Sequence, residues 1–101
     1  MKYRIWLDDL RPMPDGFNFH AKDIYTVLAL VLNDAVEHLS FDHDLGIYEA
    51  NGGMLAMLIE TAAFNRKAEP FTWAIHSANP VKRMNIELAM KKADTYWLLS
   101  M

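Results

Sequence analysis

Apolar residues fall into short runs separated by polar turns, and the runs are of two kinds. "YRIWL" at residues 3–7 is brief, aromatic and branched, and reads as a buried strand. "FNFHA" at residues 17–21 alternates apolar and polar positions and predicts a short edge strand. "HLSF" at residues 38–41 and "FTWAI" at residues 71–75 predict two more strands. Longer stretches between them have helical character. "DIYTVLALVLNDA" suits a helix capped by Asp23, and its apolar residues nearly encircle it, so it should be well covered. "MLAMLIETAAFNRK", from Met54, is rich in strong helix formers. "SANPVKRMNIELAMKKA" has the clearest helix start, with Asn79 as cap and Pro80 in the first turn. Val81, Met84, Leu88 and Met90 or Lys91 mark one face of it and its border. "RPMPDG" and "LGIYEANGG" are loops. The tail "DTYWLLSM" fits either a last short strand or a docked coil.

Strands alternating with helices predict an α/β domain with a mostly parallel sheet and helices on both faces. The expected strand order is second, first, third, fourth. In such sheets ligands gather at the carboxyl ends of the strands. Here those ends are polar. Asp8 and Asp9 close the first strand, "SFDHDLG" places Asp42, His43 and Asp44 after the third, and "AIHSANP" places His76 to Asn79 after the fourth. All three clusters should meet on one edge.

Composition narrows this picture. The 101 residues suit a single domain, 1–101, and a hydrophobic content of 52% supports a packed core. The net charge of -3 argues against broad DNA binding or binding to an anionic membrane. With no cysteine there is no thiol catalysis, disulfide or zinc thiolate. The start lacks a signal-peptide core and no apolar run is long enough to span a bilayer, so a cytoplasmic protein is expected. The seven methionines are expected to pack the core.

The candidate chemistry starts from the acids. Adjacent carboxylates repel, and a hard divalent cation, Mg2+ or Mn2+, relieves that repulsion. Asp8, Asp9, Asp42 and Asp44 are the candidate ligands. A D-x-D after a strand also opens the haloacid dehalogenase phosphotransferases, but there the first strand carries it, and here another acidic strand end comes first. His76 can serve as general acid or base near neutral pH. Ser77 and Asn79 add donors at a helix start, which favours anions, and Arg11 can bind a phosphate or pair with Asp9. Asn79 is also expected simply to cap its helix. His20 and His38 lie outside the clusters and receive no site role. Lys82, Arg83, Lys91 and Lys92 read as a solvated helix face.

"WLDDLRPMPDG", "SFDHDLG" and "IHSANPVKRMN" together resemble the cyclic-phosphate processing receiver domain family, a trimmed relative of the response-regulator receiver with a flavodoxin-like sheet. The resemblance covers the chain from Lys2 to about Asn85. It implies that Asp8 and Asp9 correspond to the receiver's metal-binding acidic pair, Asp42 to its phospho-accepting aspartate and Ser77 to its switch hydroxyl. His43, Asp44, His76 and Asn79 belong to the family's own pattern. The receiver's usual lysine after a fifth strand has no clear counterpart.

Two readings follow. In the first, the protein is a metal-dependent phosphoesterase processing a cyclic phosphate of a nucleotide or RNA end. Asp8, Asp9 and Asp42 hold the ion, Arg11, Ser77 and Asn79 bind phosphoryl oxygens, and His76, or else His43, protonates the leaving group. In the second, it is a stand-alone receiver-like module for signalling or for binding a small phosphorylated ligand, with Asp42 as phospho-acceptor.

Overall fold

The computed structural model describes residues 1–42 and 51–100. Their elements are β1 (Tyr3–Leu7), β2 (Phe19–Ala21), α1 (Ile24–Leu32), β3 (Val36–Phe41), α2 (Gly52–Phe64), β4 (Thr72–Ile75) and α3 (Pro80–Leu99). The four strands form one parallel sheet, as the alternation of strands and helices predicts, and their order is the expected β2-β1-β3-β4. This is a short flavodoxin-like, receiver-like architecture.

The register explains how the sheet is covered. Ile5 pairs with Leu39 and Leu7 with Phe41, and all four are fully buried. Phe19, Ala21, Trp73 and Ile75 fall on the same face. The buried residues of α1, α2 and α3 join those strand residues in one core cluster. Right-handed crossovers account for α1 and α2, because β2 to β3 and β3 to β4 step across the sheet in one direction and so place their helices on one face, and α3 packs against α2 on that face. The step from β1 to β2 runs the other way and carries no helix. Its loop lies over the second face, where Phe17 packs on Trp6 and His38, and the Arg4 Nε–H donates to the Gly16 carbonyl at 2.7 Å. The helical cover expected on both faces is thus present on one, and a loop substitutes for it on the other. Gly16 turns that loop at φ 95, in the left-handed region that favours glycine.

Several boundaries differ from the sequence expectation. β3 starts at Val36, which pairs with Tyr3. α2 starts two residues before Met54, because Asn51 accepts the Met54 N–H at 3.0 Å and caps it. The tail is neither strand nor docked coil. It continues α3 to Leu99, since Ile86, Met90, Ala93 and Trp97 extend one buried stripe at helical spacing. Trp97 fixes that end, with its ring edge-on to Phe71 and its Nε1–H donating to the Ala68 carbonyl at 2.9 Å. The buried face of α3 is therefore not the one marked by Val81, Met84 and Leu88, which are exposed. Nor do the methionines fill the core. Among the described residues Met90 is buried, whereas Met1, Met13, Met54, Met57 and Met84 are exposed. No helix among the described residues is long and apolar enough to cross a membrane.

Candidate functional site

Three backbone hydrogen bonds assemble the site. Each strand ends by passing one more N–H to its neighbour. Asp8 N donates to Ala21 O at 3.0 Å, Asp42 N to Leu7 O at 3.0 Å, and His76 N to Phe41 O at 2.9 Å. The residue after each apolar strand is thus locked to the sheet edge, so Asp8, Asp42 and His76 converge. Ligand atoms from these three lie within 4.8 Å of one another.

Asp8 is the best-held of them. Its side chain is fully buried, and Oδ1 accepts the Leu10 and Arg11 N–H groups, both at 2.8 Å. Oδ2 lies 3.0 Å from His76 Nε2 and 3.7 Å from Arg11 Nη1. Burial pushes the Asp8 carboxyl upward, but the two backbone donors and then His76 outweigh it, so its pKa falls below the ordinary 3.8. His76 also sits low. Burial depresses it, and Arg11 with it, against the pull of Asp8 and Asp42. Asp8 is therefore a carboxylate facing a neutral imidazole.

That charge state fixes the tautomer. A carboxylate only accepts, so His76 carries its proton on Nε2. Nδ1 is then an acceptor, and the Ser40 hydroxyl, 2.7 Å away, donates to it. The His76 ring lies flat on Trp6, with centroids 3.7 Å apart and planes at 9°. His76 is clamped from both nitrogens and one face. This geometry favours a role in holding Asp8 over the role of acid expected from the sequence. As a metal ligand through Nε2, His76 would first have to shift its proton to Nδ1.

A cleft of about 530 Å³ opens beside these groups, lined by Asp8, Leu10, Arg11, Asp42 and residues 77–80. Three of the expected phosphate binders border it. Arg11 is anchored by Nη1 to the His76 carbonyl at 2.9 Å. Its other N–H groups meet no acceptor among the described residues. Ser77 is buried, and its Oγ accepts the Asn79 N–H at 3.4 Å, which leaves its own proton to donate. Asn79 caps the helix through its oxygen, which leaves its amide N–H2 to donate. Its side-chain oxygen accepts the Val81 and Lys82 N–H groups at 3.0 and 3.1 Å, and Pro80 has no N–H. The start of α3 thus keeps its dipole, its first backbone donors are capped, and the donors left toward the cleft are the Ser77 hydroxyl and the Asn79 amide.

Asp9 neither lines this cleft nor joins the group of three. Its Oδ1 is buried with no hydrogen-bond partner. Buried polar atoms are almost always satisfied, and an ionised one is costly without a counter-charge. A cation would supply that charge, and the oxygens of Asp8 and Asp42 are hard donors. The converging oxygens of Asp8 and Asp42 fit a divalent ion such as Mg2+ or Mn2+. His43 and Asp44 lie outside the described residues.

Sequence reasoning passed over three supports. Ser40 faces Trp6 across the β1–β3 register and lies two residues before Asp42, so the period of two puts all of them near His76. The polar Ser40 between the apolar Leu39 and Phe41 was the available signal. His20, given no role, donates from Nε2 to the Asp8 carbonyl at 2.8 Å. Trp6 also caps the turn, its Nε1–H reaching the Arg11 carbonyl at 3.3 Å.

The depressed values predict how stability varies with pH. A folded pKa below the unfolded one means the unfolded chain binds more protons between the two, so stability rises with pH there. For His76 the interval lies below 6.5, and for Asp8 below 3.8. His38, lowered by burial and then by Arg4 against Glu37, adds to the first interval. Urea unfolding should show full stability at about neutral pH and a decline through roughly pH 6 to 5, where free histidine protonates. The decline should be smaller in His38→Gln. A flat profile across that range would contradict the buried neutral imidazole.

The sequence model of the cyclic-phosphate processing receiver domain family matches residues 3–92. No curated protein and no solved structure matches the chain.

Proposed function

The chain belongs to the cyclic-phosphate processing receiver domain family, and from that premise we propose that it is a divalent-metal-dependent phosphoesterase opening the cyclic phosphate of a nucleotide or RNA end. The observation that carries the reading is the convergence of Asp8 and Asp42 beside a cleft whose wall offers Arg11 and Ser77. Asp8 and Asp42 hold Mg2+ or Mn2+, with Asp9 and Asp44 as the further carboxylates. When bound, the ion polarises a phosphoryl oxygen and makes its water more acidic. Arg11 binds phosphoryl oxygens through the N–H groups that do not reach His76, and Ser77 donates its hydroxyl proton to another. His76 keeps Asp8 aimed at the ion. With His76 so engaged, the proton for the leaving hydroxyl is assigned to His43, the neighbour of Asp42 in sequence.

A second reading makes Asp42 a phospho-acceptor, and its buried position at the end of β3 favours it. Against it, the sheet has four strands among the described residues, and α3 follows β4 without a fifth. The steadying lysine that receivers carry after a fifth strand therefore has no place among those residues.

Turnover of a 2′,3′-cyclic nucleotide is expected in about millimolar Mg2+ or Mn2+, the range of weak oxygen-ligand sites, and should vanish with a chelator. Melting temperature should rise with either ion through binding linkage. Undiminished turnover in chelator, or melting indifferent to both ions, would contradict the reading.

A further inference from the structure

The outer surface of α2 and α3, away from the sheet, is apolar where solvent should favour charge. α2 exposes Met54, Met57 and Leu58, and α3 exposes Val81, Met84 and Leu88. Both sets follow the spacing of one helical face. Met57 is 65% exposed and Val81 70%. Together the six leave on the order of 600 Å² bare, at the top of the range for the largest apolar patch on a monomer and short of the about 800 Å² per partner in a standard interface.

Between the helices runs a groove of about 620 Å³, with Met54, Met57 and Leu58 on one wall and Leu88 on the other. Its charges are also ordered. Glu60 stands on the α2 wall and Lys92 on the α3 wall. Neither is in an ion pair with a described residue.

We propose that this face joins two copies of the chain. A two-fold axis along the groove lays α2 of one copy over α3 of the other and keeps the helices parallel. Met57 and Leu58 then meet Leu88 of the second copy, and Glu60 meets its Lys92. Each apolar wall finds its complement and each unpaired charge finds its opposite, twice over by symmetry. A second copy thus satisfies both the apolar area and the charges, whereas an acidic or basic partner would satisfy only one wall. Both candidate clefts would open at the same end of the dimer.

Sedimentation of the full chain from about micromolar to about 100 micromolar should show a monomer–dimer equilibrium. Leu88→Glu should leave it monomeric throughout. Lys92→Glu should weaken association by roughly tenfold or more, because the like charges meet twice. Glu60→Lys combined with Lys92→Glu should recover most of that loss, which also shows that the single variant was folded. A wild type that stays monomeric, a dimer untouched by Leu88→Glu, or a double variant no tighter than Lys92→Glu would each overturn the proposal.

Discussion

Asp42→Asn should reduce cyclic-nucleotide turnover by roughly a thousandfold, the size of losing one preorganised charge contact. The exchange preserves shape, and the Asp42 backbone N–H still donates to Leu7 O at 3.0 Å, so the sheet edge remains intact. What changes is one negative charge among Asp8, Asp42 and His76. The cation then loses a hard oxygen ligand and one of the negative charges facing it. The rise in melting temperature with Mg2+ or Mn2+ should disappear in the same variant. A variant that keeps the metal-linked rise but loses turnover would move Asp42 from ligand to phospho-acceptor or nucleophile.

His76→Ala should carry the largest cost in stability. It strips Oδ2 of Asp8 of its closest donor, leaving Arg11 Nη1 at 3.7 Å, and leaves the buried Ser40 hydroxyl without its acceptor. Buried groups left unsatisfied cost about 1–3 kcal/mol each. The lost stack on Trp6 adds about 0.5–1.5 kcal/mol. Partial entry of water lowers the total, so about 2–4 kcal/mol is expected, or roughly 10–30 °C in a domain of this size. His76→Gln, which can still donate to Asp8, should fall between. Urea unfolding of the three proteins reads this directly. A His76→Ala protein that melts within a degree or two of wild type would remove the holding role and restore His76 as the candidate acid.

How far the sequence shows all this depends on whether a feature is set along the chain or across it. The strands and their polar ends were legible because apolar runs such as "YRIWL" and the acids that follow them are adjacent in sequence, whereas the strand order drew also on the family resemblance. The α3 tail was misread because Tyr96, Trp97 and Leu98 also suit a strand, and the stripe that carries the helix on depends on small residues, Ala89 and Ala93. Weak hydropathy at those alanines left Val81, Met84 and Leu88 as the apparent face. Only the packed helices show that they point outward. In the site, Asp8, Asp42 and Arg11 were visible as residue types. Ser40, Trp6 and His20 were not, since their contacts depend on register between strands far apart in sequence. Asn79 was visible in both of its possible roles, and geometry assigned its oxygen to capping.

The most direct measurement is phosphorus NMR of the wild-type protein in Mg2+ with a 2′,3′-cyclic nucleotide and a small phosphodonor in one tube. The account predicts that the cyclic phosphate resonance gives way to a phosphate monoester while no acyl phosphate forms on Asp42. An unchanged cyclic phosphate together with a phosphorylated Asp42 would contradict it and identify a receiver-like phospho-acceptor instead.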